Sequence, residues 1–566
     1  RWLSDWSSDV CSSDLPLADL ILVNGKVVTV DKEFSLHNAV AIQADKIIAV
    51  GTDDEIRKFA GDNTRIIDVE NKTIIPGIID AHAHPEAASK SELDEEIPDL
   101  HTIGELLDWI KQQAGKKTNG EWIIHPKLFY TRLSELRQPT LEELDKAAPA
   151  NPVFLNGSFG GVINSAAIKV SGLEKNSDHQ GLVRDVNNGS LTGVLKASAF
   201  NLLKIPPRKK LTPEDEVEAL KEMLHRYNQY GITGVISGYG DLDMYNRYVE
   251  LSQNNELTLR IMQNFLLPFD FRSSMQQLVD SLKQFPHVTG DGNEWIRTGS
   301  LKVFLDGGIL TGTAYLSEPW GKIAAEVYSI DDPEYRGVVN FTREDIVKIA
   351  SAAIESGWAF TVHSTGGGGV DLLLDAYEEI TQVTPIKDKR FSIIHGNFFT
   401  VDAINRMRDF GVIANVQPAW FYKDADAMKY ILGEERIKSF NPYQSMINEG
   451  VILSGGSDHM VKLDANTSVN PYNPFLGMWS AITRQTERGN VIMPGEAISR
   501  EDALRMYTIN NAYSTFEEDL KGSVEVGKLA DLVVLSDDIL TCPAEKIKDI
   551  RSEMTIVGGK IVYSVK

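Results

Sequence analysis

The sequence predicts an α/β fold: a (β/α)8 barrel with a large insertion after its first strand, and a small β-sandwich domain built from both chain ends. Three observations predict it. Eight apolar, β-branched runs alternate with helical patterns through the middle of the chain. Both ends consist of short strand-like runs broken by turn signals. The chain has 566 residues, 42% hydrophobic and 24% charged, which is enough to bury a core of that size.

Residues 1–15 stand apart. Asp5 to Leu15 reads DWSSDVCSSDL and has neither helical nor strand periodicity. It reads as a translated sequencing adapter, an artefact to be set aside from fold reasoning. A signal peptide could have stood in its place, so the compartment is left open between the cytoplasm and export to a periplasm.

Residues 16–75 carry ADLILVNGKVVTV and NAVAIQADKIIAVG, separated by Asn-Gly and Asp-Lys turns, as expected for the N-terminal part of the sandwich. Residues 521–566 supply its C-terminal part through ADLVVL (from Ala530) and MTIVGGKIVYS (from Met554). Residues 76–520 form the expected barrel. Its strands are read in IIPGIIDAHAH (from Ile74), ITGVISG (from Ile232), LTLRIMQNFLL (from Leu257), SLKVFLDGG (from Ser300), WAFTVHST (from Trp358), RFSIIHGN (from Arg390), VIANVQPAW (from Val412) and VILSGGSD (from Val451). The gap between the first and second runs far exceeds a crossover, so residues 85–206 are read as a subdomain inserted over the barrel mouth.

Charge excludes some functions. The chain has 57 Lys and Arg against 80 Asp and Glu, a net charge of −23, which opposes nucleic acid and anionic membranes as partners. Its longest basic stretch, Arg208-Lys209-Lys210, is read as a solvated helix approach. No apolar run is long enough to span a membrane. The two cysteines, Cys11 and Cys542, are too few for a disulfide framework or a cysteine metal site. A small-molecule substrate is the expected partner, and a homo-oligomer is compatible with it.

The chemistry is read from strand ends. His82 and His84 end the first strand, where a period of two turns both imidazoles to one face and lets them grip one metal ion. His363 ends the fifth strand, His395 the sixth and Asp458 the eighth, so the same kinds of ligand converge on the rim where barrel enzymes place their sites. Lys302, on the fourth strand, has two readings. It either pairs with a carboxylate such as Asp306, or its amine takes up carbon dioxide to give a carbamate bridging two metals. Lys196 is the competing lysine, in the insertion. Gly366 to Gly369 is read as a flexible turn, since no phosphate-loop spacing accompanies it.

PGIIDAHAH, the His-His-Asp order, the β-rich ends and GSVEVGKLADLVVL resemble the metal-dependent amidohydrolase superfamily. VINSAAI, SLTGVL, LKVFLDGG and VQP resemble its branch that includes N-substituted formamide deformylases. The resemblance implies His82, His84, Lys302, His363, His395 and Asp458 as metal ligands. Two departures fall where substrate is contacted: STGGGG after His363 where the branch often has a charged segment, and FGG at Phe159 to Gly161 where a histidine is common.

The expected function is hydrolysis of a non-peptide carbon–nitrogen bond, in an amide, formamide or cyclic amide, by a metal-activated hydroxide. Two zinc ions are the expected cofactor, with manganese or iron as substitutes. Asp458 is the expected catalytic proton carrier, and His459, Trp420 and Asp306 are candidate substrate contacts. A deaminase of the same fold is the first rival. It would call for a glutamate near the fifth strand, which HSTGGGG does not offer. A catalytically inactive binding scaffold is the second.

Overall fold

The computed structural model describes residues 15–93, 96–157, 160–173, 179, 181–185, 187–207, 211–267 and 274–565. The adapter-like segment before Leu15, the basic stretch at residues 208–210 and Phe159 lie outside the described residues.

Eight parallel strands form one sheet: β1 (Ile78–Ala83), β2 (Ile232–Gly240), β3 (Arg260–Leu266), β4 (Ile296–Phe304), β5 (Phe360–Ser364), β6 (Ser392–His395), β7 (Ile413–Val416) and β8 (Leu453–Gly455). Each pairs with the next in chain order, and β8 returns to β1 through a parallel bridge between Ala83 and His459. The Asp458 amide donates to the His82 carbonyl (2.6 Å) and the His84 amide to the His459 carbonyl (2.7 Å), so the closing seam runs through the polar strand ends. Every residue of β1 and β5 is buried, as expected of parallel strands covered on both faces.

Helices pack outside this sheet, and their starts are written locally. Thr342 caps the helix Arg343–Glu355 in a reciprocal box with Asp345, and Pro85 opens the helix that follows His84.

The structure shifts some expected boundaries. The run beginning at Ile74 is two strands, because Thr73–Pro76 pairs with Leu532–Leu535 in a separate sheet before β1 begins. That six-stranded sheet mixes residues from near both ends of the chain, and a four-stranded sheet lies alongside it in sequence. The buried pair between Arg260 of β3 and Asp531 (2.7 and 2.9 Å) ties the six-stranded sheet to the barrel. The glycines after His363 are not a loose turn. They open the helix Gly367–Thr381, and a Cβ on Gly366 would stand 2.0 Å from the Tyr315 carbonyl oxygen, so the close approach of that segment demands glycine.

Between β1 and β2 lies a second, mixed sheet of five strands, in the order Leu182–Arg184, Leu191–Lys196, Gly160–Ile163, Val153–Asn156 and Ile123–His125. It has apolar clusters of its own around Leu106, Val153 and Ile163. A buried fork from Arg132 to Asp424 (2.7 and 2.9 Å) joins this segment to the helix after β7, beside the C-terminal ends of the barrel strands.

Candidate metal centre

Three of the sequence-predicted ligands meet closely. The ligand atoms of His82, His84 and Asp458 all lie within 4.8 Å of one another, and all three residues are buried. Nε2 of His84 stands 3.1 Å, and Nε2 of His82 3.4 Å, from the same Asp458 oxygen. That spread is close to what bonds of about 2.0–2.2 Å to one ion require. Gly238 of β2 leaves the room: a Cβ there would stand 2.5 Å from the His84 ring and 2.8 Å from the His82 ring.

His363 and His395 form a neighbouring pair, with ring centres 4.7 Å apart and His395 5.4 Å from His82. They are not part of the closest group. The Lys302 amine reaches 3.3 Å from Nε2 of His82, beside the rings of Phe304 and Tyr239.

Burial fixes the charge states. It pushes all four histidines below their ordinary range, His395 to about 4, so each is a neutral imidazole with a lone pair to give. Burial also brings the Lys302 amine down to about 7. Burial raises Asp458, but the hydrogen bond from His84 and the neighbouring histidines outweigh it, so the carboxyl lies below its ordinary value and is ionised. Neutral imidazoles with a carboxylate suit zinc and related divalent ions, so the side chains present fit a metal.

A second layer holds these groups, and sequence reasoning missed most of it. His395 Nδ1 donates to Gln417 (2.8 Å), Gln417 to Asn415 (3.0 Å), and Asn415 to the Ala81 carbonyl (2.9 Å), linking β6, β7 and β1. His363 Nε2 donates to the Gly307 carbonyl (3.0 Å), which leaves Nδ1 carrying the lone pair. Asp80 accepts from the His82 and Ser457 amides (3.0 Å each), and Asn470 grips Asp458 at its carbonyl (2.7 Å) and its carboxylate (3.1 Å). His395 and Asp458 both have positive φ, 75° and 54°, a strained geometry common at functional sites. Asp80, Gly307, Asn415, Gln417 and Ser457 stand in strand strings already quoted from the sequence, but none was read there as a support, and Asn470 stands outside them.

A cavity of about 420 Å³ opens over these residues, walled by Phe129, Tyr239, Phe304 and Trp420. Its size suits a small organic molecule. Trp420 stacks on His395 (4.7 Å, 11°) and faces this space. Two of the expected substrate contacts do not. His459 is fully buried behind the wall, with Nδ1 2.8 Å from the Tyr227 hydroxyl and Nε2 2.6 Å from the Lys462 carbonyl. Asp306 accepts the Thr365, Gly366 and Tyr315 amides (2.8, 2.8 and 3.0 Å) and so fastens the loop after β5. Nor does Asp306 receive Lys302, whose amine turns to His82 instead. Lys196 donates to the Ser329 carbonyl and lines a larger neighbouring cavity of about 520 Å³.

Comparisons with known proteins fit this geometry. The chain is 29% identical over 566 aligned residues to an N-substituted formamide deformylase of Arthrobacter pascens, covering 97% of this chain and 98% of that protein. It is 28% identical to the protein LONG AFTER FAR-RED 3 of Arabidopsis thaliana, over 97% of this chain and 92% of the other. Among solved structures, an uncharacterized metal-dependent hydrolase of Pyrococcus horikoshii OT3 superposes with a TM-score of 0.67 at 21% identity, covering 93% of this chain and 99% of that one. The amidohydrolase family matches residues 65–563, most of the chain, and this protein belongs to it.

Proposed function

We propose that this amidohydrolase hydrolyses a non-peptide carbon–nitrogen bond, in an amide, formamide or cyclic amide. The observation that carries this reading is the convergence of His82, His84 and Asp458 at the end of the barrel, with Lys302 and the His363–His395 pair beside them. The formamide deformylase of Arthrobacter pascens supports the choice of bond.

His82 and His84 would hold one divalent ion with Asp458 beside it, and His363 and His395 a second. Lys302 would reach both as a carbamate, formed when its amine adds to carbon dioxide and releases a proton. Burial at about 7 leaves much of that amine neutral and nucleophilic at neutral pH. Zinc is the first choice for this donor set. When bound, such ions acidify a water and polarise the carbonyl.

The chain's own part is proton movement and orientation. Asp458 accepts the proton of the attacking water and returns it to the departing nitrogen, so the amine leaves neutral. Asn470 fixes the carboxylate for that task. Gln417 sets the tautomer of His395, and Trp420 holds the ring from its face.

Metal-loaded protein assayed against N-acyl, N-formyl and cyclic amides tests the reaction. Metal analysis together with uptake of labelled carbon dioxide tests the centre. Amine release from one of these classes, two ions per chain and labelled Lys302 are expected. One ion and an unlabelled amine would overturn the binuclear centre. Ammonia released from an aminated ring, with every amide left intact, would overturn the proposed reaction in favour of deamination.

A further inference from the structure

Beside the metal cavity lies a second, much smaller one of about 50 Å³, and Lys127 borders both. Its walls come from the segment between β1 and β2, from the helix after β7 and from the loop after Asp458. Four cations line it: Lys127, Arg132, Lys423 and Lys462. Two of them are already neutralised. Arg132 forks onto Asp424, and Lys423 pairs with Glu487. The carboxylate of Asp99, also on the wall, stands 3.3 Å from His101.

Lys127 and Lys462 are different. Neither forms an ion pair among the described residues. Among the described residues the Lys127 amine makes no ion pair: it meets the Met460 sulfur and, at 5.6 Å, the face of Phe129, with the Asp458 carboxylate acting on it from beyond pairing distance. Lys462 is 5% exposed, and its backbone sits at a φ of 76°, outside the regions side chains favour. His125 opens onto the same space, 2% exposed; among the described residues its ring nitrogens find no partner beyond a loose contact with the Lys127 backbone. Lysines are seldom left buried without a paired counter-charge.

We propose that Lys127, Lys462 and His125 form a carboxylate-binding subsite next to the metal centre, so that the preferred substrate is an amide bearing a carboxylate on the part remote from the scissile bond. The volume suits that group. At about 10–15 Å³ for each water-sized occupant, the space takes a carboxylate with a water and excludes an aromatic ring. Since Lys127 faces both cavities, a substrate whose carboxylate meets this amine presents the rest of its body to the metal cavity. The selectivity for charge would then come from the inserted segment and the loop after β8, while the chemistry stays with the barrel strand ends. This inference rests on the proposed hydrolysis only for where the rest of the substrate lies.

Two probes separate the two ideas: 6-formamidohexanoate, and N-pentylformamide, which is the same molecule without the carboxylate. Calorimetric binding of each to the metal-loaded protein needs no turnover. The carboxylate probe should bind at least about tenfold tighter, the worth of a charge-assisted hydrogen bond. Lys462→Met should remove most of that ratio, and Lys462→Arg should keep it. If the formamides are cleaved, the ratio of kcat/KM between the two probes should fall in Lys462→Met through KM. Equal affinity of the wild-type protein for both probes, or an equal loss for both in Lys462→Met, would overturn the subsite. Tight carboxylate binding without cleavage of any amide would keep the subsite and overturn the hydrolytic reading instead.

Discussion

The rim of the barrel and the inserted segment face each other across the same cavity, yet their polar groups are held in opposite ways. On the rim almost every functional side chain has a named support: Gln417 behind His395, the Gly307 carbonyl behind His363, Asn470 on Asp458 and Asp80 below His82. Across from it, among the described residues, Lys127 meets a sulfur and an aromatic face without an ion pair, and His125 has at most a loose contact with the Lys127 backbone. Reaction chemistry demands groups held in place before the substrate arrives. A group waiting for a ligand's charge is instead completed by the ligand. On the proposed roles, the contrast separates what performs the reaction from what selects the substrate.

The largest effect should come from removing what the rim is built to hold. Chelation should abolish turnover, with restoration by zinc or manganese; full activity in verified metal-free protein would leave the rim without its purpose. Next is Asp458→Asn, which keeps the shape and most of the hydrogen bonds but cannot carry a proton. Turnover should fall by a factor on the order of 10²–10⁴, measured as kcat with metal content held equal. Turnover near wild type would remove Asp458 from its role.

A smaller loss is expected one layer further out. Gln417→Leu deletes the acceptor of the His395 Nδ1 proton while leaving every proposed ligand in place. Metal affinity should weaken by about 10–100-fold, read by competition with a chelator, and activity should recover in excess metal. A loss that excess metal does not reverse would mean that Gln417 acts on the substrate and not through His395.

The support just described is also where sequence reading fell short. The eight barrel strands were legible because parallel strands buried on both faces write long β-branched runs, and five of the six candidate ligands because each stands at the end of such a run, whereas Lys302 lies inside its own. His82 and His84 were legible as a pair from a period of two. The supporting groups write no such signal: Asn415 and Asp80 are ordinary polar residues with partners far away in sequence, and Asn470 reaches back to Asp458 across a loop without periodicity. Lys127 was hidden for the same reason: it follows the strand Ile123–His125 of another sheet, and the packing of that sheet against the loop after β8 brings its amine over the cavity. Asp306 and His459 misled in the opposite direction. They sit next to cavity residues in sequence, but the backbone turns their side chains to the far side of the wall.

The smallest effect on catalysis should come from that far side. His459 Nε2 faces the Lys462 carbonyl, so it carries the proton, and Nδ1 accepts from the Tyr227 hydroxyl. Burial brings this histidine down to about 4, so it is neutral in the folded state, whereas an unfolded histidine titrates near 6.5. Its contribution to stability is thus complete above about pH 6.5 and is lost as the pH falls towards about 4, because the unfolded chain takes up a proton that the folded one refuses. Tyr227→Phe leaves Nδ1 buried without its donor, at a cost of about 1–3 kcal/mol in stability. The variant should melt at a lower temperature, while kcat/KM at neutral pH and at a temperature where it is fully folded should stay within about threefold of wild type. If kcat/KM fell a hundredfold instead, His459 would have to act on the chemistry through Asp458, and the wall that separates support from reaction would lie one residue further back than its hydrogen bonds indicate.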